Sequence, residues 1–187
     1  GLSFHCPHVP ELIQDADLVI FSSAIKSGNV VYDASIEAGV PMLRRAEALV
    51  SIMSLKESIV IAGTHGKTTT SALAAKVLQA GELNPSHYVG AEVPVLGNNA
   101  YWSEGGKHFI AEGDESDGSL IQFDPSYAVL LNVEEDHLDH YTDGIEGIRN
   151  VFNQFLDSTQ KNIIYCSSDS ESSNLCGFRN NVISYGW

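Results

Sequence analysis

Residues 63–69 read Gly-Thr-His-Gly-Lys-Thr-Thr, between the apolar run "SIVIA" (58–62) and an alanine-rich segment that ends at Gly81. A strand entering a helix through paired glycines is suited to gripping phosphate. Backbone N–H groups at a helix start lack intrahelical partners, and the helix dipole adds partial positive charge there. Glycine lets that backbone approach phosphate oxygens closely. In this frame 63–66 wraps the phosphates, Lys67 reaches the β and γ groups, and Thr68 offers its hydroxyl to Mg²⁺. Gly63, Thr64, His65, Gly66, Lys67, Thr68 and Thr69 are therefore the candidate nucleotide-binding residues. The usual pattern has a further glycine at position 61; here Ile61 continues the strand, so the loop is entered later. An ordinary strand-to-helix turn with an exposed lysine is the competing reading, and the strand–Gly–Gly-Lys-Thr–helix context argues against it. Lys67, spent on phosphate and not on packing, is expected to matter for turnover while leaving the fold intact.

A phosphate loop needs metal ligands at the carboxyl ends of neighbouring parallel strands, where ligands of such sheets sit. Two segments answer. "KHFIAEGDESDGSL" (107–120) is a strand ending in Glu112, followed by Asp114, Glu115 and Asp117. Glu112 is the first carboxylate off the strand, the place for a Mg²⁺-binding acid. "AVLLNVEEDHLDHY" (128–141) repeats the plan, running from Asn132 through Glu134, Glu135 and Asp136 to His137 and Asp139. Taken singly, the first is a solvated acidic loop and His137 a structural histidine. Three strand ends of complementary chemistry in one sheet favour a single site instead. Its candidate catalytic residues are Lys67, Glu112 and His137, and its candidate metal ligands Thr68, Glu112 and His137.

Apolar strand-like runs alternate with helix-like segments along the whole chain, which means a parallel sheet covered on both faces. Strands are predicted at 17–23, 58–62, 108–112, 127–133, 162–166 and 182–185, and helices at 31–40, 44–55, 67–80 and 145–156. Gly39 and Gly81 are read as helix stops, Gly81 at the C′ position. Residues 95–107, rich in Gly and Asn, read as a loop or hairpin over the second sheet. The fold class is α/β: a partial Rossmann-like unit over 1–56, then a phosphate-loop mononucleotide-binding parallel sheet flanked by helices over 57–187.

Composition excludes several classes. Ten Lys plus Arg against 24 Asp plus Glu give a formal charge of −14, a surface that repels nucleic acid unless the contact is local. No run approaches the ~18 apolar residues of a membrane span, and no secretory signal is visible. Cys6, Cys166 and Cys176 are odd in number and far apart, as in a cytoplasmic protein with reduced thiols. "HCPH" (5–8) offers His5, Cys6 and His8 as metal ligands, but no second pair follows at a useful spacing, and it reads as an unliganded surface turn.

"AGTHGKTTT", "AEGDESDGSL" and "NVEEDHLDHY" together resemble three consecutive signatures of the Mur ligases, the ATP-dependent amide ligases of bacterial cell-wall precursor synthesis, and "DADLVIFSSAIKSGN" with "GVPMLRRAEAL" resembles the latter part of their UDP-binding domain. The likeness covers essentially the whole chain. His65, where other branches generally carry Asn, points to the branch that joins L-alanine to UDP-N-acetylmuramate. "DESDGSL" favours that branch over tripeptide-recycling ligases, which tend to carry Tyr at the place of Ser116. Branches that use a carbamylated lysine after the "DH" motif lose ground, since no Lys occurs from His108 to Gln160. The resemblance implies ATP and Mg²⁺ as cofactors, with Lys67 on the γ-phosphate, Thr68 on a first Mg²⁺, and Glu112 with His137 on a Mg²⁺ near the substrate carboxylate. It implies that Ser22, Ser23, Ala24 and Ile25 contact the UDP substrate, and that partners are small molecules, with no nucleic acid and no membrane. Gly113 stands where the family usually has Ala, and His140 where it has Thr or an aromatic. The family's early Gly-rich turn and third domain are not among these residues, so the 187 residues alone are expected not to complete the ligation. Rival readings are a tripeptide-recycling ligase, another phosphate-loop NTPase, or a nucleotide-binding module without turnover.

Overall fold

A computed structural model describes residues 3–116, 118–135 and 143–187. Contacts divide the chain into two units, Gly1–Ser51 and Ile52–Trp187, with the division inside a helix.

The first unit pairs two short parallel strands, β1 (Val19–Phe21) and β2 (Met42–Arg44), joined through helix α1 (Val30–Ala38). Asn29 starts α1: its Oδ1 accepts from the N–H groups of Val31 and Tyr32, satisfying two of the four orphan donors. Gly39 ends it at φ 68°, as the sequence predicts. Helix α2 (Arg45–Met53) carries the chain out of the unit.

The second unit is a seven-stranded sheet. Its strands are β3 (Glu57–Ala62), β4 (Ser86–Tyr88), β5 (Ala100–Tyr101), β6 (His108–Glu112), β7 (Tyr127–Leu130), β8 (Asn162–Cys166) and β9 (Val182–Tyr185), in the order β5-β4-β6-β3-β7-β8-β9. All pairings are parallel except β4 with β5. The central strand β3 is buried on both faces, as its unbroken apolar run demands. On one face Ile61 and Ile110 pack with Ala75 of helix α3 (Lys67–Ala80), joined by Ile59, Leu78 and Val129. Towards the other face lie Val60 and Ala62, beside Leu120 of the 3₁₀ turn Ser119–Gln122, against which helix α4 (Ile145–Asp157) packs. That helix buries Ile148, Phe152, Phe155 and Leu156 at helical spacing. Position 113 is tight: a Cβ there would stand 2.6 Å from Leu120 Cδ1 and 2.9 Å from Val60 Cγ1.

The elements that escape the sequence pattern include β4 and helix α5 (Ser170–Cys176). β4 is built on the buried polar residues Ser86 and His87; Ser86 Oγ accepts from the Ser103 N–H and His87 Nε2 meets the Asn98 carbonyl, while His87 Nδ1 is buried with no partner among the described residues. Helix α5 is short and serine-rich, started by the Asp169 carboxylate on the Ser172 N–H. Gly81 is not the left-handed residue after α3. Its φ is −83°, and Glu82 takes φ 60° instead. The Leu83 N–H returns to Leu78 O and the Glu82 N–H to Gln79 O, a Schellman closure with glutamate at C′. Among the described residues no helix is long and apolar enough to cross a membrane.

Candidate nucleotide and metal site

The phosphate-loop junction forms at the carboxyl edge of the sheet because β3 ends at Ala62 and α3 starts at Lys67. Both loop glycines are required. Gly63 has φ 137°, and a Cβ on it would meet Asn132 O at 2.9 Å. Gly66 precedes the helix at φ 86°, with no side-chain cap on α3. The first helical N–H groups are therefore left for an external acceptor, unlike those of α1 and α5, which their own Asn29 and Asp169 cap.

The loop is fastened to the end of β7. Thr64 N–H donates to Asn132 O at 3.1 Å. His65 N–H donates to Asn132 Oδ1 at 2.8 Å, and Asn132 Nδ2 returns a bond to His65 O at 3.0 Å. Glu134 N–H donates to Thr64 Oγ1 at 2.9 Å. Asp169, besides capping α5, accepts from the Val133 N–H at 3.3 Å, so the same strand end is held from a second side. The His65 ring lies 3.7 Å from the Glu134 carboxylate, both exposed.

Glu112 ends β6 directly across from Ile61. Its Oε2 accepts from Thr68 Oγ1 at 3.2 Å and its Oε1 from the Gly90 N–H at 3.1 Å. A hydroxyl and a carboxylate at that separation are hard oxygen donors of the kind Mg²⁺ takes. Among the described residues no group of three or more His, Cys, Asp or Glu gathers to hold a metal. By their donor chemistry the residues present fit Mg²⁺ with Thr68 and Glu112 as its protein ligands. His137, the other candidate ligand, lies outside the described residues.

Lys67 departs from expectation. Its Nζ donates to Glu115 Oε2 at 2.9 Å and Oε1 at 3.0 Å, to Gly63 O at 2.7 Å and to Thr64 O at 3.3 Å. Glu115 is buried, so Lys67 is an integral part of a partly dried ion pair as well as a phosphate candidate. The structure thus brings Lys67, Thr68 and Glu112 to one lip with the loop 63–66, and Thr69 to the exposed first turn of α3. Ser22, Ser23, Ala24 and Ile25 belong to the first unit. They form a turn after β1, exposed except for the half-buried Ile25, closed by the Ile25 N–H on Ser22 O, with Ser22 Oγ accepting from the Ala24 N–H.

Comparison with known proteins reaches the same region. The family pattern of the Mur ligase middle domain matches residues 61–187. The chain belongs to the Mur ligase family. Curated relatives include a UDP-N-acetylmuramate–L-alanine ligase from Desulfatibacillum aliphaticivorans, 43% identical over 157 residues, which are 84% of this chain and 34% of the relative. A ligase of the same name from Desulfosudis oleivorans is 45% identical over 150 residues, 80% of this chain and 32% of the relative. The chain spans about a third of the length of these Mur ligases. Among solved structures, the UDP-N-acetylmuramate–alanine ligase of Thermotoga maritima superposes with a TM-score of 0.82 at 26% identity, covering 97% of this chain and 41% of that one. A MurF ligase from the same organism, in complex with ADP, shares the Mur ligase fold at a TM-score of 0.59 and 16% identity, covering 92% of this chain and 48% of that one.

Sequence reasoning missed three contributors to this candidate site: Asn132 as the clamp on the loop, Glu115 as the partner of Lys67, and the Gly90 N–H on Glu112. Asn132 and Glu115 are visible in the sequence as polar groups after apolar strands, but their partners lie 67 and 48 positions away.

Proposed function

We propose that this chain is the nucleotide-binding core of a ligase that joins L-alanine to UDP-N-acetylmuramate at the expense of ATP, acting in the cytoplasm with Mg²⁺. Residues 57–187 form the central ATP-binding domain, and residues 1–56 the latter part of a UDP-substrate-binding domain. The single observation that carries the reading is the Lys67-Thr68 helix start lying against Glu112 at the carboxyl edge of a parallel sheet, in a chain whose relatives of about 40% identity bear that ligase name.

In this reading the N–H groups at the start of α3 and Lys67 bind the β- and γ-phosphates of ATP. A lactyl carboxylate oxygen of UDP-N-acetylmuramate attacks the γ-phosphorus, ADP leaves, and an acyl phosphate results. The amine of L-alanine then attacks the acyl carbon, and phosphate departs. The chain's task is to stabilise the charge that spreads over the transferring phosphoryl group, for which preorganised donors and a fixed ammonium are suited. Thr68 and Glu112 would hold Mg²⁺, with His137 proposed as a further ligand. Mg²⁺, when bound, would supply positive charge that offsets the charge developing on the phosphoryl group. Ser22, Ser23, Ala24 and Ile25 are proposed to meet the UDP end of the sugar nucleotide.

The test joins these residues to the remainder of a full-length relative and follows labelled L-alanine into UDP-N-acetylmuramate. ATP-dependent incorporation that Lys67→Ala abolishes is expected. ATP hydrolysis indifferent to the sugar nucleotide would point to an NTPase or switch instead.

A further inference from the structure

An ammonium has three N–H donors. In Lys67 they are taken up by Gly63 O, Thr64 O and the two oxygens of Glu115. Glu115 is 2% exposed, and the Lys67 side chain 16%. The positive charge that the loop presents is thus cancelled at contact distance by a carboxylate with little water to screen it. Glu112 adds a second carboxylate to the same lip, beside Thr68. What stays positive is the start of α3, which carries only partial charge.

This arrangement has a consequence for what can bind. A polyphosphate approaching Lys67 without a cation meets a buried carboxylate as well as an ammonium. Like charges a few ångströms apart repel strongly where the effective dielectric is low. A polyphosphate already complexed to a divalent cation brings two fewer negative charges and a positive centre of its own. The ammonium can keep Glu115 and share a donor with such a ligand.

We propose that Glu115 is a positioning residue that fixes Lys67 at the mouth of the loop and makes the site select the metal-complexed over the metal-free polyphosphate. The inference deepens the function proposed above and rests on its reading of 63–69 as a polyphosphate site. The ligand class is a nucleoside triphosphate with its divalent cation.

The experiment measures ATP binding to the 187-residue chain by titration calorimetry, once in excess Mg²⁺ and once in excess EDTA. Its readout is the ratio of the two dissociation constants. A purely structural Glu115 would leave that ratio alone, because lost rigidity weakens both forms together. Glu115→Gln keeps an acceptor for Lys67 and removes the charge; the ratio is expected to fall about tenfold, mainly through tighter metal-free binding. Glu115→Asp keeps the charge but withdraws it by one methylene, so a smaller fall in the same direction is expected. It is the deciding variant should circular dichroism show the Gln variant unfolded. A ratio within twofold of the parent in the folded variants, while Lys67→Ala weakens binding in Mg²⁺, overturns the role of Glu115 and leaves the loop reading standing. A parent chain that binds ATP in neither buffer, or as well after Lys67→Ala, overturns both.

Discussion

Strand β3 has an ion pair at each end, and the two ends make opposite use of the same chemistry. At its amino end Glu57 pairs with Lys107 at 2.9 Å and Lys161 at 2.7 Å, with the His108 ring 3.9 Å away. The lysine side chains are 71% and 42% exposed. Hydrogen bonds from Lys161 and then Lys107 hold the Glu57 carboxyl down to about 2. At the carboxyl end the side chains of Lys67 and Glu115 are 16% and 3% exposed. An exposed pair is screened and contributes little; here it ties the starts of β3, β6 and β8 together. A buried pair pays heavily in desolvation, and breaking it strands a charge. The pair that is costly to bury is the one placed against the phosphate loop.

The comparison can be broken most forcefully at Lys67. Lys67→Ala leaves Glu115 buried without its ammonium, so the chain should lose about 3–5 kcal/mol of unfolding free energy, contrary to the sequence expectation of an intact fold. In the ligase assay the same change should cost a further 3–4 kcal/mol or so of transition-state stabilisation. The double variant Lys67→Met/Glu115→Leu should regain most of the stability in urea titrations but none of the ATP affinity. Recovery of both would mean the pair serves packing alone.

Gly63→Ala comes next. A φ of 137° and a Cβ 2.9 Å from Asn132 O should cost about 2–3 kcal/mol, seen as a lower thermal midpoint together with weaker ATP binding. Asn132→Ala removes the two side-chain bonds to His65. At about 1 kcal/mol each the loss should be near 2 kcal/mol, with ATP affinity falling alongside stability.

The smallest effect belongs to the amino end. Glu57→Gln should lower stability only modestly at neutral pH. Because the folded carboxyl titrates below its ordinary value of 4.5, its contribution is present above pH ~4.5 and is lost as pH falls towards 2. Parent and variant unfolding curves should therefore converge over that window. A gap that persists at pH 2 would remove Glu57 as its source.

Much of this was legible in the sequence for reasons that can be named. β3, β6, β7 and β8 announce themselves because strands enclosed by neighbours and helices must be largely apolar, the edge strand β9 by its short run of Val182 and Ile183, and 63–69 because glycine and lysine at a strand–helix junction have few other uses. β4 was not legible, since burying Ser86 and His87 is tolerable only once Ser103 and Asn98 arrive from a later segment. α5 rests on one cap, Asp169, and has no apolar period to read. Gly81 misled because Glu82 accepts the strained conformation one step later. In the site, Thr68 and Glu112, singled out in the sequence by their helix-start and strand-end positions, lie 3.2 Å apart. The Lys67–Glu115 pair was not, because spacing alone does not say which of several acids after β6 turns inward.

Gly113 bears on the order in which changes at this edge can accumulate. The family resemblance read in the sequence implies Ala there, a difference of one methyl group. In this chain that methyl would press into Leu120 and Val60, and Leu120 has no exposed surface through which to give way. Position 113 and position 120 are thus not independent in descent. A lineage holding this packing can acquire alanine at 113 without penalty only after residues 120 and 60 have both given way, whereas one that starts from alanine can pass to glycine first and enlarge them later. The path is easier in one direction than in the other.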